Sequence, residues 1–214
     1  MDKLLSLEQG RELVRAARRA IEEKIDGRET AFEPKLEKRG VFVTLETFPQ
    51  RDLRGCIGFP EPVRELDAAV REAALAAAFG DPRFPPISRG ELDKIVVEIS
   101  VLTQPKPLEA RNADEIPRKI KIGRDGLILR RGWNSGLLLP IVPVELGWNA
   151  NEFLEHLCDK AGLERGSWHD KNAKLFVFQS QVFREREPRG VVEEVDLLKE
   201  AVKHGEAKNK KKAE

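Results

Sequence analysis

The chain contains no tyrosine, one methionine, two cysteines and three histidines among 214 residues. Without tyrosine, no mechanism here can use a phenol as acid, nucleophile or base-stacking platform. Cys56 and Cys158 allow at most one disulfide and cannot build a cysteine-rich zinc cage. The scattered histidines have no metal-ligand spacing, so neither a metal nor a cofactor is expected. Long apolar runs are also missing. The longest stretch free of Asp, Glu, Lys and Arg, Gly132 to Val144, has thirteen residues and two prolines, whereas a membrane-spanning helix needs ~20. The opening MDKLLSLEQGRELVRAARR is charged throughout and lacks the apolar core of a secretory signal. A cytoplasmic protein with no membrane contact is the expectation. A basic excess is absent too: 38 Lys plus Arg face 37 Asp plus Glu. Coating of nucleic acid over the whole surface therefore starts behind other readings.

Charged residues nevertheless reach 35%, a mix with few oxidisable side chains that resembles heat-adapted proteins. Hydrophobic residues make up 40%, enough to bury a sizeable core in one large domain or two small ones. Ser6 and Gln9 have capping-box spacing, followed by Leu13, Ala17, Ala20, Ile21 and Ile25 at helical period, with Gly27 as the stop. Val41, Val43 and Leu45 then alternate as a strand, and Leu53 to Ile57 returns as a hairpin. Pro62 is expected in the first turn of a helix carrying Val63, Leu66, Val70, Ala73 and Ala77, which ends at Gly80. Ile95 to Leu102 is apolar on both faces and reads as a central strand.

Residues 118–139 read as a meander, with Ile120 and Ile122 alternating with lysines and turns at GRDG and GWNSG. Asn149 or Asn151 can cap a helix through Phe153, Leu154, Leu157 and Ala161. His156 falls on its wet face. Leu175 to Phe183 reads as a final strand. Val191, Val195, Leu198 and Val202 give a terminal helix, followed by a solvated basic end at Lys208 to Lys212. Strands joined by hairpins and interspersed with helices place the chain in the α+β class, a largely antiparallel sheet with flanking helices.

One segment carries chemistry. In LRGCIG, Leu53 to Gly58, strand alternation puts Arg54, Cys56 and Gly58 on one face. Gly58 leaves that face bare beside the sulfur, and the chain then runs toward a helix start, whose dipole attracts anions and lowers a thiol pKa. A thiol of ordinary pKa is about 3% ionised at pH 7, and one at ~6.5 about 75%. Cys56 is thus a candidate nucleophile, and equally a small buried hydrophobe with Gly55 and Gly58 accommodating a bulge.

LRGCIG, AAFGDPRFPP (Ala77 to Pro86), VEISVL (Val97 to Leu102), GRDGLIL (Gly123 to Leu129) and LLLPIVPVELGW (Leu137 to Trp148) resemble the AMMECR family in order and spacing. The likeness runs from about residue 7 to 186, and Phe59-Pro60 after the motif resembles archaeal members. It implies two unequal lobes, the larger built from both chain ends and the smaller from the middle, with a groove between them near LRGCIG. On this reading residues 1–190 form the family domain and 191–214 a C-terminal helix and basic tail. The resemblance supplies no reaction. It implies a pathway shared with a Memo-like protein and a radical S-adenosylmethionine enzyme.

Asp81 and Arg83, in the proline-stiffened loop, either line the same site, with Arg83 binding an anion and Asp81 orienting it, or are structural, with Asp81 capping the Gly80 turn and Arg83 making a salt bridge. Glu98, on the central strand, needs a cation, and Arg54 or Arg83 is the expected partner. His169, beside Trp168 and Asp170, is the candidate base for a Cys–His pair, or else a surface histidine. Between Lys106 and Arg131, eight Lys or Arg face four Asp or Glu. That stripe could touch RNA with Trp133 stacking a base, or be the wet face of a sheet.

The leading expectation is a protein that binds or modifies a small anionic substrate. In it Cys56 is nucleophile or carrier, Arg54 the anion clamp, and the Gly55 and Gly58 amides stabilise charge. The alternatives are a non-catalytic adaptor for the two partner proteins, and a nucleic-acid binder.

Overall fold

Ser6 opens the first helix as the spacing requires. Its side chain accepts from the Gln9 amide, and Gln9 reaches back to the Ser6 amide. The computed structural model describes residues 4–28, 30, 31, 33 and 35–199. They form two compact units, one containing residues up to Gln104 with Gln181–Val195, the other Pro105–Ser180 with the described residues from Asp196 on.

In the first unit, helix α1 (Leu7–Ile25) is followed by strands β1 (Val41–Thr47) and β2 (Leu53–Phe59), helix α2 (Leu66–Phe79) and strand β3 (Ile95–Leu102). Strands β8 (Ser180–Glu185) and β9 (Val192–Val195) complete a sheet of order β2-β1-β3-β8-β9. β3 is central, as its two apolar faces require. Val41, Val43, Leu45, Val97, Ile99 and Val101 point into a core shared with Leu13, Ala17 and Ile21 of α1 and Val70, Ala73 and Ala77 of α2. By alternation, Phe42, Thr44, Cys56, Glu98 and Ser100 fall on the opposite face.

The second unit holds a four-stranded sheet of order β4-β7-β5-β6, from β4 (Lys106–Pro107), β5 (Gly126–Arg131), β6 (Asn134–Leu138) and β7 (Lys174–Phe178). Short helices α3 (Ile116–Lys119) and α4 (Val142–Leu146) precede α5 (Ala150–Lys160), which Asn149 caps reciprocally with Glu152. Phe153, Leu154, Leu157 and Cys158 pack on Leu127, Leu129 and Leu175.

Four expectations change. α2 begins at Leu66 rather than at Pro62, and Val63 is exposed. Ile120 and Ile122 are not a strand: Pro117 starts the short helix α3, and buried Asp125 closes the next turn by accepting from Lys121 N at 2.9 Å. Leu175 to Phe183 is broken at Gln179 into β7 and β8, which belong to different sheets. Val192–Val195 is a strand paired with β8 rather than the start of a terminal helix, so the 190/191 boundary cuts into the first unit's sheet. Val202 and the basic end lie outside the described residues. Among the described residues no helix is long and apolar enough to cross a membrane.

Helix α2 packs closely on β2. A Cβ at Gly55 would sit 2.3 Å from the Ala77 carbonyl oxygen and 3.1 Å from its carbon, both backbone atoms. Gly55→Ala is expected to lower the stability of the full chain by about 1–3 kcal/mol in urea denaturation. Gly90→Ala, where a Cβ meets nothing within 4 Å, should stay within about 0.5 kcal/mol of the parent. Equal stability of the two variants would show that the approach is not tight.

Candidate functional site

Strand β2 pairs regularly with β1 from Phe59↔Val41 to Gly55↔Leu45, then jumps to Leu53↔Glu46. Arg54 is the residue left without a partner, and such a bulge re-aims its side chain. Arg54 therefore does not simply share the face of Cys56. Its Nε donates to Glu91 Oε1 at 2.8 Å, and its guanidinium carbon lies 5.9 Å from the Phe84 ring centroid. The side chain is nine-tenths buried, and its Nη1 meets no acceptor. Glu91 is presented by a 3₁₀ turn, Arg89–Lys94, and its Oε2 accepts from Ser88 N and Oγ at 2.9 and 2.8 Å. Burial alone would raise the Glu91 carboxyl. The bonds from Arg54 and Ser88 outweigh it and hold the group down at about 2.

The loop after α2 grips Cys56 by its backbone. Asp81, itself buried, accepts from Cys56 N at 2.9 Å through Oδ2. Arg83 donates to Asp81 through Nε and Nη2 at 2.9 and 2.6 Å, and through Nη2 to Cys56 O at 3.1 Å. The Arg83 bonds, with those from the Cys56 and Arg83 amides, hold the Asp81 carboxyl far below the usual carboxylate range despite its burial. Asp81 and Arg83 are thus paired with each other and joined to the motif.

The thiol does not behave as expected. Burial pushes the Cys56 thiol above its ordinary pKa. The Thr44 hydroxyl, 3.3 Å from the sulfur, and the Arg83 charge pull the other way and lose, while Glu98 and Asp81 add to the rise. Burial is the largest cause, and two features on which a lowered thiol pKa was expected also differ. The end of α2 that meets β2 is the carbonyl end, at Ala77, whose dipole disfavours a thiolate. Arg54 is turned to Glu91, and the cation that acts on the sulfur is Arg83. The slot expected beside the sulfur is also filled, since a Cβ at Gly58 would lie 2.4 Å from the Phe42 ring and from Val41 O. Gly55 and Gly58 serve close packing at these two points.

Glu98 pairs with Arg184 at 3.5 Å, not with Arg54 or Arg83 as expected. Thr44 lies opposite both Cys56 and Glu98 in the register, so Cys56, Thr44 and Glu98 form one row across the sheet. His169 belongs to the second unit, where its ring leans on Trp168 with centroids 3.5 Å apart and its Nδ1 lies 3.1 Å from Gly166 O. The group bonded to the Cys56 sulfur is a threonine hydroxyl, not an imidazole. His156 is not simply solvated, because it stacks on Trp148 at 3.8 Å. The basic stripe is broken up by pairing: Arg124 with Asp125, Arg131 with Asp170 and Lys119 with Glu115.

Sequence reasoning missed Thr44, Phe84 and Glu91. Ser88 and Glu91 have the S-x-x-E spacing of a capping box, which was a usable signal. The Arg54–Glu91 bond spans 37 positions and leaves no local mark. Chemically, the cluster offers two carboxylates already engaged, a protonated thiol, an aromatic wall at Phe84 and one unclaimed charged N–H. Among the described residues no group of three or more His, Cys, Asp or Glu could hold a metal.

The chain is similar to known proteins over nearly its whole length. It is 52% identical over 206 residues to Protein MK0488 of Methanopyrus kandleri, covering 94% of this chain and 100% of that one. It is 50% identical over 200 residues to Protein MJ0810 of Methanocaldococcus jannaschii, covering 92% and 100%. The crystal structure of the uncharacterized protein PH0010 from Pyrococcus horikoshii matches with TM-score 0.82 and 50% identity, over 88% of this chain and 97% of that one. The AMMECR1 family profile matches residues 14–183, a span that includes Arg54, Cys56, Asp81, Arg83 and Glu91, and the chain belongs to the AMMECR1 family.

Proposed function

We propose that the first unit binds a small ligand carrying an anionic oxygen, which accepts a hydrogen bond from Arg54 Nη1. The observation that supports this is the buried guanidinium nitrogen with no acceptor. Leaving such a donor unmet costs about 1–3 kcal/mol, more for a charged group, and a ligand oxygen recovers it. A guanidinium suits this role because Nε can hold Glu91 while Nη1 serves the ligand. Phe84, within reach of both Arg54 and Arg83, supplies an apolar wall against which a flat ligand can lie.

The raised thiol favours a binding module over a thiol-dependent enzyme. A thiol pushed above its ordinary pKa is a poor nucleophile at neutral pH. Cys56 then acts as a neutral lining group whose backbone, through Asp81 and Arg83, ties the loop to the strand. A Memo-like protein and a radical enzyme are the partners such a module would serve.

Two measurements test this reading. In thermal-shift and calorimetric titrations with inorganic phosphate and malonate, the parent should bind at least one, and Arg54→Gln should bind it ~10-fold or more weakly. Unchanged affinity in Arg54→Gln, or no binding of either anion to the parent, would sink the proposal.

The second is iodoacetamide labelling against pH. Cys158 is fully buried, so labelling of the folded chain reports Cys56. The rate should inflect above ~8.5. Thr44→Val removes a bond that lowers the pKa and should move the inflection higher, while Glu98→Gln should move it lower. An inflection below ~8 would restore the nucleophile reading.

A further inference from the structure

A sheet edge with free amides and carbonyls invites another strand, and the chain blunts three of the four edges of its described sheets. At β2 the bulge at Arg54 interrupts the pairing, and Asp81 and Arg83 occupy the Cys56 amide and carbonyl. At β9 Arg11 donates to Val192 O at 3.4 Å, beside Glu193 and Glu194. β4 is two residues long, a lysine and a proline. β6 has none of this protection. No residue of Asn134–Leu138 is charged or proline, and its pairing with β5 runs without a shift. It lies in the longest stretch of the sequence free of Asp, Glu, Lys and Arg, Gly132 to Val144.

The open groups of β6 follow from its pairing. The two-residue turn Gly132-Trp133 makes Arg131 and Asn134 the closing pair, so Leu129 with Gly136 and Leu127 with Leu138 exchange hydrogen bonds too. Ser135 and Leu137 therefore turn their amides and carbonyls away from β5, off the edge. Among the described residues neither backbone meets a partner. Apolar side chains along the same segment are left uncovered: Trp133 is fully exposed, and Leu137 and Leu139 are half-buried. This set complements itself. With a second copy antiparallel and Ser135 opposite the partner's Leu137, every open amide and carbonyl of the two strands finds its mate. The same register sets Trp133 opposite the partner's Leu139 on one face, and does so again across the two-fold. Gly136 meets the partner's Gly136 at the centre, and the residue packed above it is Ala161, so no large side chain stands at the crossing. A charged strand would oppose like charges in such a pairing, and this one has none.

We propose that β6 is a self-association surface, on which a second copy of this chain adds its own β6 antiparallel about Gly136 and joins the two four-stranded sheets into one. Trp133 of each protomer closes over Leu139 of the partner subunit. The surface is independent of the ligand cluster at Arg54.

The test is sedimentation equilibrium of the full chain between about 1 μM and about 1 mM, where a micromolar Kd is read directly. The mass should rise from monomer to dimer across that range and go no further, because a two-fold contact closes on itself. Ser135→Pro removes an amide that β5 does not use, so the dilute chain should unfold at the parent's temperature while association weakens ~10-fold or more. Trp133→Ala, at an exposed position, should also weaken association ~10-fold or more with stability unchanged. Arg54→Gln should associate like the parent, which separates this proposal from the previous one. The register is read by oxidation: a mixture of Ser135→Cys and Leu137→Cys chains should crosslink, and each chain alone markedly less. The proposal is overturned by a monomeric mass at the highest concentration, by growth beyond the dimer, or by a dimer that Ser135→Pro and Trp133→Ala leave unchanged. A mixture that crosslinks no better than its separate chains would overturn it as well.

Discussion

The Ala77 carbonyl reaches the place where a side chain of residue 55 would be, and only glycine leaves that place open. This approach positions the rest of the cluster around the motif. It brings the carbonyl end of α2 onto β2, so the chain emerging from the helix meets the strand at the next residue. There Asp81 takes the Cys56 amide and Arg83 takes the Cys56 carbonyl. The same approach places the carbonyl end of α2, not its N-terminus, at the strand. A helix N-terminus would have favoured a thiolate, whereas the end that arrives carries the opposite partial charge. Burial and the nearby carboxylates Glu98 and Asp81 then act in the same direction. Burial, which follows from the packing, is the largest cause of the raised thiol pKa.

Charge around the motif is closely matched. Arg54 pairs with Glu91, Arg83 with Asp81 and Arg184 with Glu98. A patch of one sign would draw any anion from a distance and lose its hold with salt. A matched cluster with one buried donor left over works differently, because it gains only when an acceptor arrives at contact. On the proposed reading, selectivity would come from shape and hydrogen bonding, with Arg54 contributing through its fixed fork.

Much of this was legible in the sequence wherever the signal was local. Ser6 with Gln9 and Asn149 with Glu152 announce helix starts, because both partners of each cap lie within one turn. The period of two in Val41 to Leu45 and the doubly apolar Ile95 to Leu102 announce strands, because one core fixes which side each residue faces. Val195 ends a strand that begins at Val192, while Val191 lies just before it and is exposed, so their spacing of four marks no helix. Leu175 to Phe183 was read as one strand because alternation continues through Gln179, while the break there is made by pairing with two different sheets. At the site, the loop follows the helix that leaves the motif, and Asp81 and Arg83 hydrogen-bond to the Cys56 backbone. The bulge that turns Arg54 away and the end of α2 that faces Cys56 depend on tertiary pairing, and no local pattern records either.

The cluster is also braced from behind, which bears on whether Arg54 can keep an unmet donor. Arg18 and Glu185 form a buried ion pair, with Arg18 Nε 2.6 Å from Glu185 Oε1. Arg18 also donates to Leu92 O at 3.1 Å and Ile95 O at 2.8 Å, and Glu185 accepts from Val97 N at 3.0 Å. Leu92 directly follows Glu91, so the turn that holds Arg54 is fastened at its far side to α1 and β8. Removing one partner of such a pair costs about 3–5 kcal/mol, because the other charge stays buried. The turn that carries Glu91 is thus fastened to α1 and β8 while Glu91 accepts from Arg54 Nε, and Nη1 is left as the buried donor without an acceptor in the fold.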